Sequence, residues 1–146
     1  MKRVYANEKL CINCRLCEIH CKKVHSKSKD LIKAFKFETP EPVARILVEG
    51  DNGKSFAVSC RHCENPRCVK ACITGAMTKD PKTGIVSNDI DRCIGCMTCL
   101  AACPFGAIAV GDIALKCDLC QGADEPECVK ACPNRALIYK EGGSWK

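Results

Sequence analysis

The sequence has few large aromatic side chains and no long apolar run. Only 4 Phe, 2 Tyr and 1 Trp occur among 146 residues, which is little material for a self-sufficient hydrophobic core. The opening MKRVYANEKL lacks the apolar centre of a signal peptide, and no window approaches the roughly 20 apolar residues of a membrane span. We therefore expect a cytoplasmic protein of one compact domain or two very small ones, without direct membrane insertion.

Signals for enzymatic chemistry and for nucleic-acid binding are also missing. The sequence has no carboxylate pair or phosphate-binding loop, and no basic helix, zinc finger or aromatic stacking motif. The formal charge of +6 counts every cysteine as neutral, and thiolate-bound clusters at all of them would lower it to about −2. These absences predict a non-catalytic protein with no nucleic-acid partner.

Cysteine, in contrast, is abundant, and its 16 occurrences fall into four groups of four. The first motif, CINCRLCEIHC, and the third, CIGCMTCLAACP, share the spacing C-x2-C-x2-C-x3-C. The second, CRHCENPRCVKAC, and the fourth, CDLCQGADEPECVKAC, both end in CVKAC, so the order implies a tandem duplication of a two-motif unit. The groups are Cys11, Cys14, Cys17 and Cys21; Cys60, Cys63, Cys68 and Cys72; Cys93, Cys96, Cys99 and Cys103; and Cys117, Cys120, Cys128 and Cys132.

This spacing is typical of iron–sulfur ligation. In C-x2-C-x2-C the chain curls so that three thiolates face one side and backbone N–H groups can point at inorganic sulfide. The fourth cysteine faces away, and in bacterial two-cluster ferredoxins it binds the other cluster and is commonly followed by proline, as Cys103 is by Pro104. Disulfides and structural zinc are the competing interpretations, and zinc suits only the second and fourth motifs. We predict four [4Fe–4S] clusters, with no cysteine left as a nucleophile.

Short strands and helices are predicted around the cysteine loops. Two β-prone runs flank Gly50-Asp51-Asn52-Gly53 in ARILVEGDNGKSFAVS, which is a hairpin signal. The segments that run into the fourth cysteines, such as MTCLAAC and ECVKAC, are expected to open short helices. Further strand candidates are residues 3–6, 77–78, 85–87, 107–110 and 137–139.

Over residues 3–140 the pattern resembles the four-cluster, polyferredoxin-type electron-transfer subunits. Such subunits accompany carbon monoxide dehydrogenase, formate dehydrogenases, hydrogenases, and molybdenum or tungsten oxidoreductases including dimethyl sulfoxide reductase and aldehyde oxidoreductase. The short segment with HSKSKDLIKAFK is most similar to the carbon monoxide dehydrogenase subunits, the CooF type. Ile73 replaces a frequent proline, and only seven residues separate Cys120 from Cys128, but neither departure removes a ligand.

If each fourth cysteine crosses to another cluster, the motifs work in pairs, either as neighbours or nested. The second and third motifs are 20 residues apart with a predicted hairpin between them, whereas the third and fourth are 13 residues apart. Strands near Val4 and Leu137 would close a nested outer pair, and the resemblance implies nesting. We predict an α+β fold of two nested bacterial-ferredoxin-like dicluster modules, with residues 1–40 and 111–146 forming the outer module and residues 41–110 the inner one.

The nested arrangement assigns all ligands. As a hypothesis, Cys11, Cys14 and Cys17 share a cluster with Cys132; Cys117, Cys120 and Cys128 with Cys21; Cys60, Cys63 and Cys68 with Cys103; and Cys93, Cys96 and Cys99 with Cys72.

The resemblance implies two partners, a larger catalytic oxidoreductase subunit and a soluble electron carrier or second redox subunit, in anaerobic metabolism. A freely diffusing polyferredoxin and a zinc-stabilised interaction module are the alternatives.

His20 and His62 are expected to be structural or to tune potentials, and His25 to be solvated. The basic stretch from Lys22 to Lys36 is either a docking site or a solvated face, and Trp145 either anchors a partner or covers a cluster.

Overall fold

The computed structural model describes residues 1–142, so Trp145 lies outside the described residues. Within that range the fold mixes short helices with short strands, as predicted. The elements are β1 (Lys2–Ala6), α1 (Leu16–His25), α2 (Leu31–Lys36), β2 (Ile46–Asp51), β3 (Lys54–Ser59), α3 (Arg67–Lys70), β4 (Met77–Lys79), β5 (Val86–Asn88), α4 (Thr98–Ala102), β6 (Ala109–Val110), β7 (Ala114–Leu115), α5 (Glu127–Lys130) and β8 (Leu137–Glu141).

The strands form antiparallel pairs, and the pair β1–β8 joins the two ends of the chain. Val4 lies opposite Tyr139 and Ala6 opposite Leu137, so the strands near Val4 and Leu137 pair as expected. The other pairs are β2–β3, β4–β5 and β6–β7. Each is a local hairpin, so β1–β8 is the long-range strand pairing within residues 1–142.

The predicted hairpin is β2–β3. Its turn residues Asn52 and Gly53 both have positive φ, 49° and 79°, which suits the two-residue turn that matches strand twist. Ile46, Val48 and Ala57 are buried on one face. That face packs into the core that holds the cysteines of the first and fourth motifs. The hairpin therefore lies with those motifs, although the predicted division placed residues 46–59 in the inner module.

Two apolar cores lie beneath the cysteine loops, and cysteines are part of each. The first core consists of buried Val4, Cys17, Cys21, Ile46, Val48, Ala57, Leu119, Cys128, Val129 and Leu137, with Cys11, Cys117 and Cys132 packed against it. The second consists of Cys68, Met77, Val86, Cys99, Ile108 and Ala114, with Cys72, Cys93 and Cys103 packed against it. Cysteine side chains thus supply part of the buried apolar volume in a chain that has few aromatic residues.

Two elements were not predicted. β7 is two residues long and pairs with β6, which begins at Ala109 instead of the expected residue 107. α2 begins after Asp30, whose carboxylate accepts a hydrogen bond from the Lys33 N–H at 2.9 Å. This N-cap lies in the basic stretch, where the density of lysines obscures the helix signal. None of the helices in residues 1–142 has the length and apolar character needed to cross a membrane.

Candidate iron–sulfur centre

The loops of the first and third motifs have the same backbone conformation. Arg15 and Met97, which follow the second cysteine of each motif, have φ, ψ of 58°, 13° and 56°, 13°. Asn13 and Gly95, which precede that cysteine, have φ of 58° and 70°. Repeated left-handed residues turn the chain tightly and point successive N–H groups to the inside of the loop. The structural repeat agrees with the duplication expected from the sequence.

The second and fourth motifs repeat each other in the same way. A four-residue helix carries the third cysteine of each, α3 with Cys68 and α5 with Cys128. Pro66 and Pro126 stand at the N-caps of these helices. Proline suits the start of a helix because an N–H group there would have no partner within the helix, so its absence costs no helical hydrogen bond. The shared CVKAC ending thus corresponds to a shared structure.

One cavity is lined by three cysteines of the first motif and the last cysteine of the fourth. Cys11, Cys14, Cys17 and Cys132 all contribute to its wall, together with mainly apolar neighbours. Burial, with smaller contributions from the negative charges of nearby groups that include Cys14 and Cys132, raises the pKa of Cys17 to about 12. Cys21, the last cysteine of the first motif, is not part of this wall.

The remaining cysteines of the fourth motif lie near Cys21. Burial raises the pKa of Cys128, and negative charges on Cys117, Cys21 and Cys120 add to the rise. Burial likewise raises the pKa of Cys117 to about 12. The contact arises because α1, which carries Cys21, packs against α5, which carries Cys128. The fourth cysteine of each outer motif thus lies beside the other motif.

The second and third motifs approach each other in the inner part of the chain. The Thr98 hydroxyl lowers the pKa of Cys96, and the negative charges on Cys72 and Cys93 oppose that shift. Burial raises the pKa of Cys99, with smaller contributions from Cys68 and Cys72. Cys72, the last cysteine of the second motif, therefore lies among the thiols of the third.

Backbone N–H groups donate directly to cysteine sulfur. Arg45 N–H reaches Cys21 Sγ at 3.2 Å, His62 N–H reaches Cys60 Sγ at 3.3 Å, and Met77 N–H reaches Cys72 Sγ at 3.4 Å. Such donors stabilise the thiolate form and help to set the potential of a bound cluster.

His62 is a buried histidine between Cys60 and Cys63. Its Nδ1 accepts a hydrogen bond from the Val86 N–H at 3.0 Å, while its Nε2 is buried without a protein partner. Burial, together with the smaller effect of the charge on Lys116, lowers the pKa of His62 to about 4, so the ring is neutral at neutral pH. An orphaned polar atom in a cysteine loop fits a site that receives a sulfur-rich group. The structural role expected for His62 agrees with this burial.

The expectation that His25 is solvated was wrong. Its Nε2 lies 3.2 Å from both carboxylate oxygens of Asp118, and its Nδ1 lies 2.8 Å from the Cys21 carbonyl oxygen. Burial lowers the pKa of His25, but hydrogen bonds to Asp118 and Cys21 outweigh it and raise the pKa to about 9. Arg45 also donates to Asp118, at 2.8 Å. This network links α1 to the fourth cysteine loop.

Lys116 was missed by sequence reasoning. It is 6% exposed, and its Nζ donates to Cys68 Sγ at 3.7 Å. Burial lowers the pKa of Lys116, but the negative charges on Cys60, Cys68 and Cys103 outweigh it and raise the pKa. Its position directly before Cys117 was the only sequence signal, and nothing in that position predicts burial.

Four thiols around a cubane each bind a different iron atom, so they surround a volume instead of converging on one point. Within residues 1–142, no group of three or more His, Cys, Asp or Glu side chains is arranged to hold a single metal ion.

Known proteins resemble this chain in sequence and in fold. The pattern of the 4Fe-4S dicluster domain (Fer4_11) matches residues 52–141. An "Iron-sulfur protein" of Rhodospirillum rubrum is 36% identical, over 92% of this chain and 79% of the relative. The "Electron transport protein HydN" of Escherichia coli K12 is also 36% identical, over 92% of this chain and 85% of the relative. Both matches extend over nearly the whole of this sequence.

Among solved structures, a chain of "Active site complex BamBC of Benzoyl Coenzyme A reductase as isolated" superposes with a TM-score of 0.52 and 21% identity. The superposition covers 96% of this chain and 76% of that one, and it shows a similar fold. The sequence matches define the class: this chain is an iron–sulfur protein. It belongs to the 4Fe-4S dicluster family.

Proposed function

We propose that this protein carries four [4Fe–4S] clusters and relays electrons between a catalytic oxidoreductase subunit and another redox carrier. The cavity lined by Cys11, Cys14, Cys17 and Cys132 is the observation that carries the proposal. It combines thiols from opposite ends of the chain, which is the crossover expected of paired cubane motifs. When bound, each cluster takes up and releases one electron.

The nested ligand assignment is part of this proposal. It is supported by the charge interactions of Cys17 with Cys132, of Cys128 with Cys21, and of Cys96 with Cys72. The fourth set, which contains Cys60 and Cys103, is supported by the common interaction of both thiols with Lys116. The division into an outer module of residues 1–40 and 111–146 and an inner module of residues 41–110 is also part of the proposal, and the packing of the β2–β3 hairpin in the first core favours placing this hairpin with the outer module.

The chain's own groups would hold the clusters and keep water away from them. Cys17, Cys21, Cys68, Cys99 and Cys128 are buried in the two apolar cores. Thiolates in such surroundings are stabilised by the cluster iron and by backbone donors rather than by water. The assignment uses all 16 thiols as ligands and leaves none as a nucleophile, so we propose a non-catalytic role.

The proposed partners are supported by two exposed isoleucines in equivalent positions. Ile12 in the first cysteine loop and Ile94 in the third are 59% and 65% exposed. A partner that covers either loop would exclude water and bring its own redox centre close to a cluster. Relatives named as electron transport proteins support the same role. We propose a catalytic subunit of the carbon monoxide dehydrogenase, aldehyde oxidoreductase, formate dehydrogenase or hydrogenase type.

Metal analysis tests the proposal. After strictly anaerobic purification we expect about 16 iron and about 16 acid-labile sulfide per chain, without zinc. About 8 iron together with zinc would contradict it, because the second and fourth motifs would then be structural zinc sites. Co-purification with a large catalytic chain is expected, whereas a chain that purifies alone from its native source would favour a freely diffusing carrier.

A further inference from the structure

Lys116 stands out among the charged residues because it is buried. Among the lysine, arginine, aspartate and glutamate residues in the range 1–142, it is the only one that is buried, with 6% of its surface exposed. Removing an ammonium group from water costs several kcal/mol unless nearby anions compensate. A buried lysine in so small a protein therefore needs specific anionic partners.

The anionic partners of Lys116 are cysteine sulfurs. None of the ion pairs found within the described residues joins Lys116 to a carboxylate. Its Nζ lies 3.7 Å from Cys68 Sγ, and the charges that favour its protonated form belong to Cys60, Cys68 and Cys103. In the proposed assignment these three thiols bind the same cluster.

Lys116 also lies where two ligand sets adjoin. The next residue, Cys117, belongs to the set that contains Cys21, and the negative charge of Cys60 acts on Cys117. Lys116 is therefore close to the boundary between the outer and the inner module. An electron that crosses between the modules would pass through this region.

We propose that Lys116 raises the reduction potential of the cluster bound by Cys60, Cys63, Cys68 and Cys103, and so controls electron transfer between the two modules. The inference rests on the proposed four-cluster function. Adding one electron increases the negative charge beside the fixed ammonium group, so the attraction is stronger in the reduced state. Burial strengthens this difference because little water screens it.

The test is a redox titration of the full-length protein, purified anaerobically and monitored by electron paramagnetic resonance. Lys116→Met removes the charge and retains most of the side-chain volume, and Lys116→Arg retains the charge. Lys70→Met is the matched control, because Lys70 is exposed and lies two residues from Cys68. We expect one midpoint potential to fall in K116M and to stay near the wild-type value in K116R and K70M.

The affected midpoint is identified with two ligand variants. Cys103→Ser should shift or abolish the same midpoint that moves in K116M, and Cys117→Ser should alter a different one. If K116M moves the Cys117-dependent midpoint instead, or moves none beyond the K70M control, the proposal is overturned. If K116M loses iron, the Lys116→Gln variant is titrated in its place. A lowered Cys103-dependent midpoint potential in that variant supports the proposal, and an unchanged one overturns it.

Iron and sulfide counts on the same samples separate this inference from the proposed function. If the wild-type protein holds about 16 iron but K116M shows no specific shift in midpoint potential, the four-cluster function stands and the role proposed for Lys116 is contradicted. A wild-type protein with fewer clusters contradicts the proposed function itself.

Discussion

Gly95 holds the third cysteine loop against a neighbouring backbone segment. It lies between Cys93 and Cys96 with a φ of +70°. A Cβ atom at this position would lie 2.5 Å from the carbonyl oxygen of Asp112. Because that neighbour is backbone, it has little freedom to move away. Glycine is therefore required here both for its conformation and for its lack of a side chain.

We expect Gly95→Ala to lose one cluster. The clash with Asp112 would displace the loop that carries Cys93 and Cys96, and iron would fall from about 16 to about 12 per chain. Gly106→Ala is the matched control, because Gly106 has a φ of +59° but no atom within 4 Å of a Cβ. Iron analysis after anaerobic purification measures both variants. Equal iron in the two would contradict the steric explanation.

At the scale of residues, the sequence predicts best those groups whose pattern is local. The cysteine motifs are recognisable in the sequence because the three closely spaced cysteines of C-x2-C-x2-C occupy one short loop. His25 and Asp118 are 93 positions apart, and Lys116 and Cys68 are 48 apart. Only the tertiary fold brings such pairs together, so neither the His25 network nor the burial of Lys116 was predictable from spacing.

At the scale of elements, Glu18 connects helix α1 to the hairpin. Its Oε1 accepts a hydrogen bond from the Val48 N–H at 2.5 Å and lies 3.3 Å from Arg15 Nη1. Val48 is buried, and its N–H belongs to the β2 strand.

The turn signal at Asn52-Gly53 predicted the hairpin. The alternating pattern of its strands specifies which face of the hairpin is buried, but it does not specify which helix or loop packs against that face.

Glu18→Ala is expected to destabilise the protein by about 1–3 kcal/mol, because the buried Val48 N–H would lose its partner. Glu18→Gln retains an acceptor oxygen and should have a smaller effect. Anaerobic thermal unfolding, followed by circular dichroism, compares the two variants with the wild type. If both lower the midpoint equally, the charge of Glu18 matters rather than the hydrogen bond to Val48.

At the scale of the whole molecule, nesting makes a prediction about pairs of ligands. Two substitutions within one ligand set should damage one cluster, and two in different sets should damage two. We expect Cys11→Ser with Cys132→Ser to leave about 12 iron per chain, and Cys11→Ser with Cys21→Ser to leave about 8. The reverse result would assign Cys21 to the cluster of its own motif and refute the crossover.

The strand pairing β1–β8 has a consequence for the order in which the protein matures. Lys2 pairs with Glu141 and Ala6 with Leu137, so β1 is synthesised long before its partner strand β8. The thiols of Cys11, Cys14 and Cys17 likewise meet Cys132 only after the second and third motifs have been synthesised. The inner cysteines are complete earlier. We therefore expect the cysteine sites in the middle of the chain to be complete before the site that joins Cys11, Cys14 and Cys17 to Cys132, so these three thiols wait longest for their fourth partner.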